Sequence, residues 1–202
     1  MVGITGGVAS GKSALAAILR RRGAACYSVD SAAHALYRPG KPAWRKIVAA
    51  FGKGVLAPDG TISRSALGDA VFGSPARMRR LERILHLPLA REAAAAVGRI
   101  RSRNRLTVVE AGPILFKLGL DRLADLVVVT ECAAAERIGR LARSRGILRS
   151  VASRRIGSFA KIEKSLPRLA AATGRGITVR TGAPPSRLVS AADAVLGRIG
   201  WR

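Results

Sequence analysis

The sequence predicts an α/β fold of three layers, a five-stranded parallel sheet between helices. Three observations carry that prediction. A short β-prone run opens the chain and leads through a glycine-rich loop into apolar residues at helical spacing. Further short apolar runs at 106–110, 126–130 and 177–179 alternate with helical sequence, as strands of a parallel sheet do. A chain of 202 residues, 49% of them apolar, is long enough for one such domain with room for insertions.

The opening segment carries the most specific signal. Gly6-Gly7-Val8-Ala9-Ser10-Gly11-Lys12-Ser13 fits G-x-x-x-x-G-K-[ST], the phosphate-binding loop (P-loop) of nucleotide-using enzymes. Val2-Gly3-Ile4-Thr5 before it reads as a buried strand. Ala14-Leu15-Ala16-Ala17-Ile18-Leu19 after it reads as a helix, with Arg20-Arg21-Arg22 in the last turn and Gly23 as the stop. Strand, loop and helix are the context the motif requires. Glycines let successive N–H groups turn inward, and the helix adds the positive end of its dipole. Lys12 can then reach the β- and γ-phosphates, and the Ser13 hydroxyl can ligate Mg²⁺.

A second β-prone run, Cys26-Tyr27-Ser28-Val29, is closed by Asp30. A carboxylate at the carboxyl end of the neighbouring strand sits where open α/β sheets bind ligands. There it could ligate Mg²⁺ or take a proton from an acceptor hydroxyl. Asp30 also suits a helix N-cap, because Ala-rich sequence follows, and both roles can hold together. Glu110, at the end of the third strand, could reach Mg²⁺ directly or through water. The plainer reading of Glu110 is a strand-end carboxylate paired with an arginine.

Residues 31–103 read as helical. A short helix after Asp30 ends at Arg38-Pro39-Gly40, and another covers 43–51 and stops at Gly52-Lys53-Gly54. Pro58-Asp59-Gly60 is a turn, Ser63 an N-cap, and Ser74-Pro75 the start of a longer helix carrying Leu81, Ile84 and Leu85. His86 and Pro88 are expected to interrupt that helix before Ala-rich sequence runs on toward Arg101. Gly112-Pro113 breaks the third strand into a loop. Residues 133–145 form a helix with a basic stripe, Arg137, Arg140 and Arg143, and helical sequence continues to about 172. Residues 190–199 form the closing helix. The expected division is a nucleotide core of 1–30, 104–135 and 173–202, a helical insertion of 31–103 and a lid region of 136–172.

The formal charge of +24 suggests affinity for polyanions. Yet the basic residues are scattered and not interleaved with aromatic rings that would stack on bases. Most of the excess therefore reads as a solvated surface, and no specific nucleic-acid partner is expected. No run of about 18 uncharged apolar residues exists, which argues against a membrane span. No secretory signal precedes the first strand. Cys26 and Cys132 lack metal-ligand spacing and read as buried free thiols of a cytoplasmic protein.

With these residues placed, the chain resembles the dephospho-coenzyme A kinase family. Gly3-Ile4-Thr5-Gly6-Gly7-Val8-Ala9-Ser10-Gly11-Lys12-Ser13 looks like the family's G-[LI]-T-G-G-[IV]-x-S-G-K-S, and Asp30 and Pro39-Gly40 follow at its spacing. Phe51-Gly52, Asp59-Gly60, Arg64 with Leu67, and Val71-Phe72 recur in its order. Leu81-Glu82 with Ile84-Leu85-His86 is similar to its L-E-x-[IL]-x-H-P segment, and Pro113-Ile114-Leu115-Phe116 to its P-L-L-[FY]-E loop. The resemblance implies a P-loop kinase that moves the ATP γ-phosphoryl to the ribose 3′-hydroxyl of dephospho-coenzyme A; a monomer is expected.

Carried over residue by residue, Gly6, Gly7, Ala9, Ser10, Gly11, Lys12, Ser13 and Ala14 would bind the nucleotide. Asp30 would be the base, Arg140 the lid cation, and His86 and Pro113 would contact the acceptor. The insertion of 31–103 would be the substrate domain. Departures are Ser28 in place of the first acidic residue of the family's D-x-D, Leu87 for a proline and Lys117 for a glutamate. Past Arg145 the likeness fades, and Arg180-Thr181-Gly182 stands in place of the N-x-G element near the adenine. Two alternatives remain in view. One is a P-loop kinase of another small hydroxyl acceptor; the other is a basic nucleic-acid-binding P-loop protein with decayed kinase activity.

Overall fold

The computed structural model describes residues 1–72, 74–103 and 106–201. Five strands, β1 (Val2–Gly6), β2 (Ala25–Ser28), β3 (Thr107–Glu110), β4 (Leu126–Glu131) and β5 (Gly176–Arg180), form one sheet in the order β2-β3-β1-β4-β5. The helices are α1 (Lys12–Arg21), α2 (Val29–Leu36), α3 (Pro42–Phe51), α4 (Arg64–Val71), α5 (Pro75–Arg101), α6 (Ala134–Arg145), α7 (Arg149–Gly157), α8 (Ala160–Ala172) and α9 (Ser186–Arg198). Every strand pairing is parallel, with Glu110 beside both Ile4 and Ser28, and Thr130 beside both Gly6 and Val179. All carboxyl ends therefore lie along one edge. The order runs outward from β1 in both directions, so the loop after β1 opens at the switch point where such sheets bind ligands.

Alternation along the strands sorts the core. Val2, Ile4, Val108 and Val128 pack with Leu15 and Leu19 of α1 and Val195 of α9. On the other face, a Cβ on Gly3 would lie 3.3 Å from Leu115, in the segment after β3. One on Gly176 would lie 2.3 Å from the Ala170 backbone, so α8 approaches β5 more closely than any side chain there permits. Helices on both faces of a parallel sheet, with the glycine loop after β1, make the α/β P-loop fold.

The chain divides into two compact units, residues 1–28 with 94–202 and residues 29–93. The second unit is helical and has its own core, in which Ile47 is fully buried with Tyr37, Val55, Ile62, Leu67 and Val71. Leu56 and Ile62 bridge antiparallel across the Pro58-Asp59-Gly60 turn. The Asp59 carboxylate accepts from the Thr61 N–H at 3.0 Å and the Thr61 hydroxyl at 2.7 Å, which closes the turn. Ser63 caps α4 by accepting from the Ala66 N–H at 3.2 Å.

Several local expectations are corrected. β2 ends at Ser28, and Val29 and Asp30 already belong to α2. Asp30 thus stands in a first helical turn, where a carboxylate faces unsatisfied N–H groups, and not on the strand itself. No break occurs at His86 or Pro88, because α5 runs through both. The proline removes one helical hydrogen bond, at a cost of about 3 kcal/mol. Leu89, Ala93, Ala96 and Val97, all buried along the same helix, offset that cost. α9 starts at Ser186, earlier than expected, directly after Pro184-Pro185. The expected boundary between 103 and 104 falls on Asn104, outside the described residues.

Candidate active site

The phosphate loop is held from the strand ends. Gly6 closes β1 with φ of 147°, and a Cβ there would lie 2.3 Å from the Thr130 hydroxyl, so only glycine lets β1 pass β4 this closely. The next turn is tight, with the Ser10 N–H returning to the Gly7 carbonyl at 3.2 Å and Ala9 in the left-handed region at φ 58°. The buried Ser10 hydroxyl shares a 2.6 Å hydrogen bond with the Thr130 hydroxyl, which donates in turn to the Thr5 carbonyl at 3.2 Å. Thr181, just beyond β5, donates its hydroxyl to the Ser10 carbonyl. Gly11, left-handed at φ 90°, is the N-cap of α1.

Charge is positioned on that frame. The Lys12 ammonium arches back over the loop, donating to the Gly6 carbonyl at 3.1 Å and the Gly7 carbonyl at 2.7 Å. The Ser13 hydroxyl donates to Glu110 Oε1 at 2.5 Å, so the plainer expectation of an arginine partner for Glu110 gives way to a hydroxyl one.

Two of the three stripe arginines of α6 are tied rather than solvated. Arg140 donates to Glu136 at 2.5 Å and to the Thr181 carbonyl at 3.1 Å, with the two side chains 31% and 29% exposed. Partial burial pushes the Glu136 carboxyl up. The Cys132 thiol, the Ala183 N–H and Arg140 outweigh that and hold it below its ordinary value. Arg137 is more enclosed. Its Nε donates to the Val8 carbonyl at 2.8 Å and its Nη2 to Glu163 at 2.7 Å, while Glu163 also accepts from the Val8 N–H at 2.9 Å. A cavity of about 590 Å³ opens beside this pair, lined by Gly7, Thr130, Cys132, Lys164 and Arg180 among others.

In the helical unit, Asp30 lies in the first turn of α2. His34 Nδ1 and the Tyr37 hydroxyl share a hydrogen bond, with their rings edge to face and centroids 5.2 Å apart. Burial pushes the Tyr37 hydroxyl up to about 12, with Arg64 opposing and Asp30 adding to the rise. His86 is exposed on α5 and lines a groove of about 660 Å³ with Arg79, Glu82, Arg83 and Leu87. Pro113, in the sheet unit, follows a loop fixed by the Thr5 hydroxyl, which donates to the Gly112 carbonyl at 2.9 Å.

The family model for dephospho-CoA kinase matches residues 1–173. The chain belongs to the dephospho-CoA kinase family. A dephospho-CoA kinase of Symbiobacterium thermophilum is 38% identical over 168 residues, 83% of this chain and 70% of that one. One of Leifsonia xyli subsp. xyli is 42% identical over 160 residues, 78% of this chain and 80% of that one. A crystal structure of a Thermus thermophilus protein matches with a TM-score of 0.72 and 25% identity, covering 98% of this chain and 96% of that one.

Among the residues expected from the dephospho-CoA kinase resemblance, the loop from Gly6 to Ala14 meets Glu110 through Ser13, and meets Arg140 through Thr181. Asp30 and His86 belong to the helical unit. Sequence reasoning missed Thr130, Thr181, Glu136 and Glu163. The threonines could have been found by asking which polar side chains end or follow β4 and β5. Glu136 stands four residues before Arg140, a spacing that marks a helical ion pair. Nothing in the sequence couples Glu163 to a loop 155 residues away.

Proposed function

We propose that the protein transfers the γ-phosphoryl group of ATP to the ribose 3′-hydroxyl of dephospho-coenzyme A, giving coenzyme A and ADP. The observation that carries this reading is a complete phosphate loop, Gly6 to Ser13, in a chain of the dephospho-CoA kinase family. The N–H groups of Gly11, Lys12, Ser13 and Ala14 at the start of α1 hold phosphate oxygens, and the Lys12 ammonium reaches the β- and γ-phosphates. Asp30 accepts the proton of the 3′-hydroxyl. The new bond forms between that oxygen and the γ-phosphorus as the bond to the β-phosphate's bridging oxygen breaks. Arg140, exchanging Glu136 and Thr181 for the transferred group, neutralises its charge. His86 and Pro113 contact the acceptor, held by the insertion of 31–103, and the helices of 136–172 cover the nucleotide.

Ser13 and Glu110 are oxygen donors of the kind a hard cation takes. Among the described residues no three His, Cys, Asp or Glu side chains form a metal cage, so Mg²⁺ would draw its remaining ligands from the nucleotide and water. Held by Ser13 and Glu110, Mg²⁺ would supply positive charge to neutralise the phosphate oxygens. No helix among the described residues is long and apolar enough to cross a membrane.

The deciding assay is ADP release from ATP and Mg²⁺, with and without dephospho-coenzyme A, for the wild type and Asp30→Asn. Acceptor-dependent turnover should fall roughly 10²–10⁴-fold in the variant with the melting temperature and ADP binding unchanged. A folded, ATP-binding chain with no acceptor-dependent turnover would overturn the proposal.

A further inference from the structure

The proposed phosphoryl transfer leaves one largely enclosed charge pair unused. Arg137, in the first turn of α6, and Glu163, in the first turn of α8, meet at 2.7 Å with their side chains only 12% and 10% exposed. Between them they take both polar groups of one residue's backbone: Glu163 accepts the Val8 N–H, and Arg137 donates to the Val8 carbonyl. A strand neighbour would satisfy Val8 in the same sense, donor to carbonyl and acceptor to N–H. Here an ion pair does so.

We infer that Arg137 and Glu163 are positioning residues that hold the phosphate loop in its anion-binding shape by gripping the backbone of Val8. Ala9, the next residue, stands at φ 58°, a conformation that a residue with a Cβ keeps only where its surroundings over-determine it. The Val8 clamp on one side and the Ser10 hydrogen bonds on the other are those surroundings. Gly7 acquires a second reason to be glycine, since a Cβ there would lie 2.4 Å from Arg137 Nη2 and 2.6 Å from the Glu163 carboxylate. The pair also separates the arginines of α6 by task. Arg137 is neutralised and enclosed, whereas Arg140, 31% exposed, is the one placed to change partners. Both α6 and α8 are thereby fastened to the loop.

The inference deepens the kinase reading but is tested on ADP alone, with Mg²⁺, by calorimetry, and so does not depend on the acceptor. Glu163→Ala should weaken ADP binding roughly 10–100-fold, as expected when a part-buried backbone N–H loses its charged acceptor. In steady-state assays the KM for ATP should rise while the KM for the acceptor stays put. Glu163→Gln, whose amide oxygen can still accept from Val8, should lose less than about tenfold. The exchanged pair Arg137→Glu with Glu163→Arg restores attraction between α6 and α8 but sets a carboxylate against a carbonyl and a guanidinium against an N–H. It should bind ADP as poorly as Glu163→Ala. Wild-type or tighter ADP binding by folded Glu163→Ala would overturn the inference, tighter binding marking Glu163 as a competitor of the phosphates. Recovery in the exchanged pair would also overturn it, leaving only a tie between helices. If Glu163→Ala does not fold, Glu163→Gln and the exchanged pair decide by the same criteria. Brace-dependent ADP binding without turnover of dephospho-coenzyme A would sink the acceptor assignment and leave the brace standing.

Discussion

The sheet unit and the helical unit hold their polar residues by different means. In the sheet unit the loop is fixed by hydrogen bonds from residues distant in the chain: Thr130, Thr181, Arg137 and Glu163. In the helical unit an apolar cluster around Ile47 carries the stability, while His86 stands on the surface of a helix and Asp30 in a first turn. The difference matches the ligands proposed for each. Phosphate charge is best stabilised by donors that do not reorganise, whereas a helical scaffold need only present side chains from a stable face.

The largest expected effect that bears on this contrast is Lys12→Ala. Removing the ammonium should lower kcat/KM for ATP roughly 10²–10³-fold while leaving the melting temperature near that of the wild type. Kinetics alongside thermal melting check this, and a large fall in melting temperature would blur the contrast by making the charge network structural. Next comes Ile47→Ala, which should destabilise the helical unit by about 2–5 kcal/mol. Amide exchange should then show 29–93 opening at lower denaturant than β1 and β4, with ADP binding retained below that point. Equal loss of protection in both units would mean that they unfold as one.

The smallest effect is a pH dependence confined to the helical unit. The Tyr37 hydroxyl is raised from 10.0 to about 12, so the protonated form is favoured by folding. Its contribution is full below pH 10 and is lost as pH climbs toward 12. Tyr37→Phe should flatten that part of the stability curve, measured by urea unfolding across the range. An unchanged slope in the variant would assign the alkaline loss to other groups.

The strand–loop–helix of the nucleotide site was legible because each part is a local pattern: glycines for the turn, Lys12 and Ser13 at fixed spacing, apolar residues at helical period. Pro58-Asp59-Gly60 and the Ser63 cap were legible for the same reason, since their hydrogen bonds close within a few residues. Pro88 misled because the local penalty of a proline is smaller than the burial gained along a helix of 27 residues. Val29 and Asp30 misled because a β-prone tetrapeptide and the first turn of an Ala-rich helix overlap, and helix formation decided between them. The stripe of Arg137, Arg140 and Arg143 was visible as spacing, but its distant partners Val8, Glu163 and Thr181 were not.

By itself the sequence determined the α/β class, the phosphate loop and the family, because these are written in periodicity and in residues a few positions apart. Only the tertiary structure decided the strand order, the meeting of Ser13 with Glu110, and the different fates of Arg137 and Arg140. Apart from the Glu136–Arg140 pair, which is local, those depend on contacts between residues 26 or more positions apart, which packing of the helices on the sheet creates and no local pattern records.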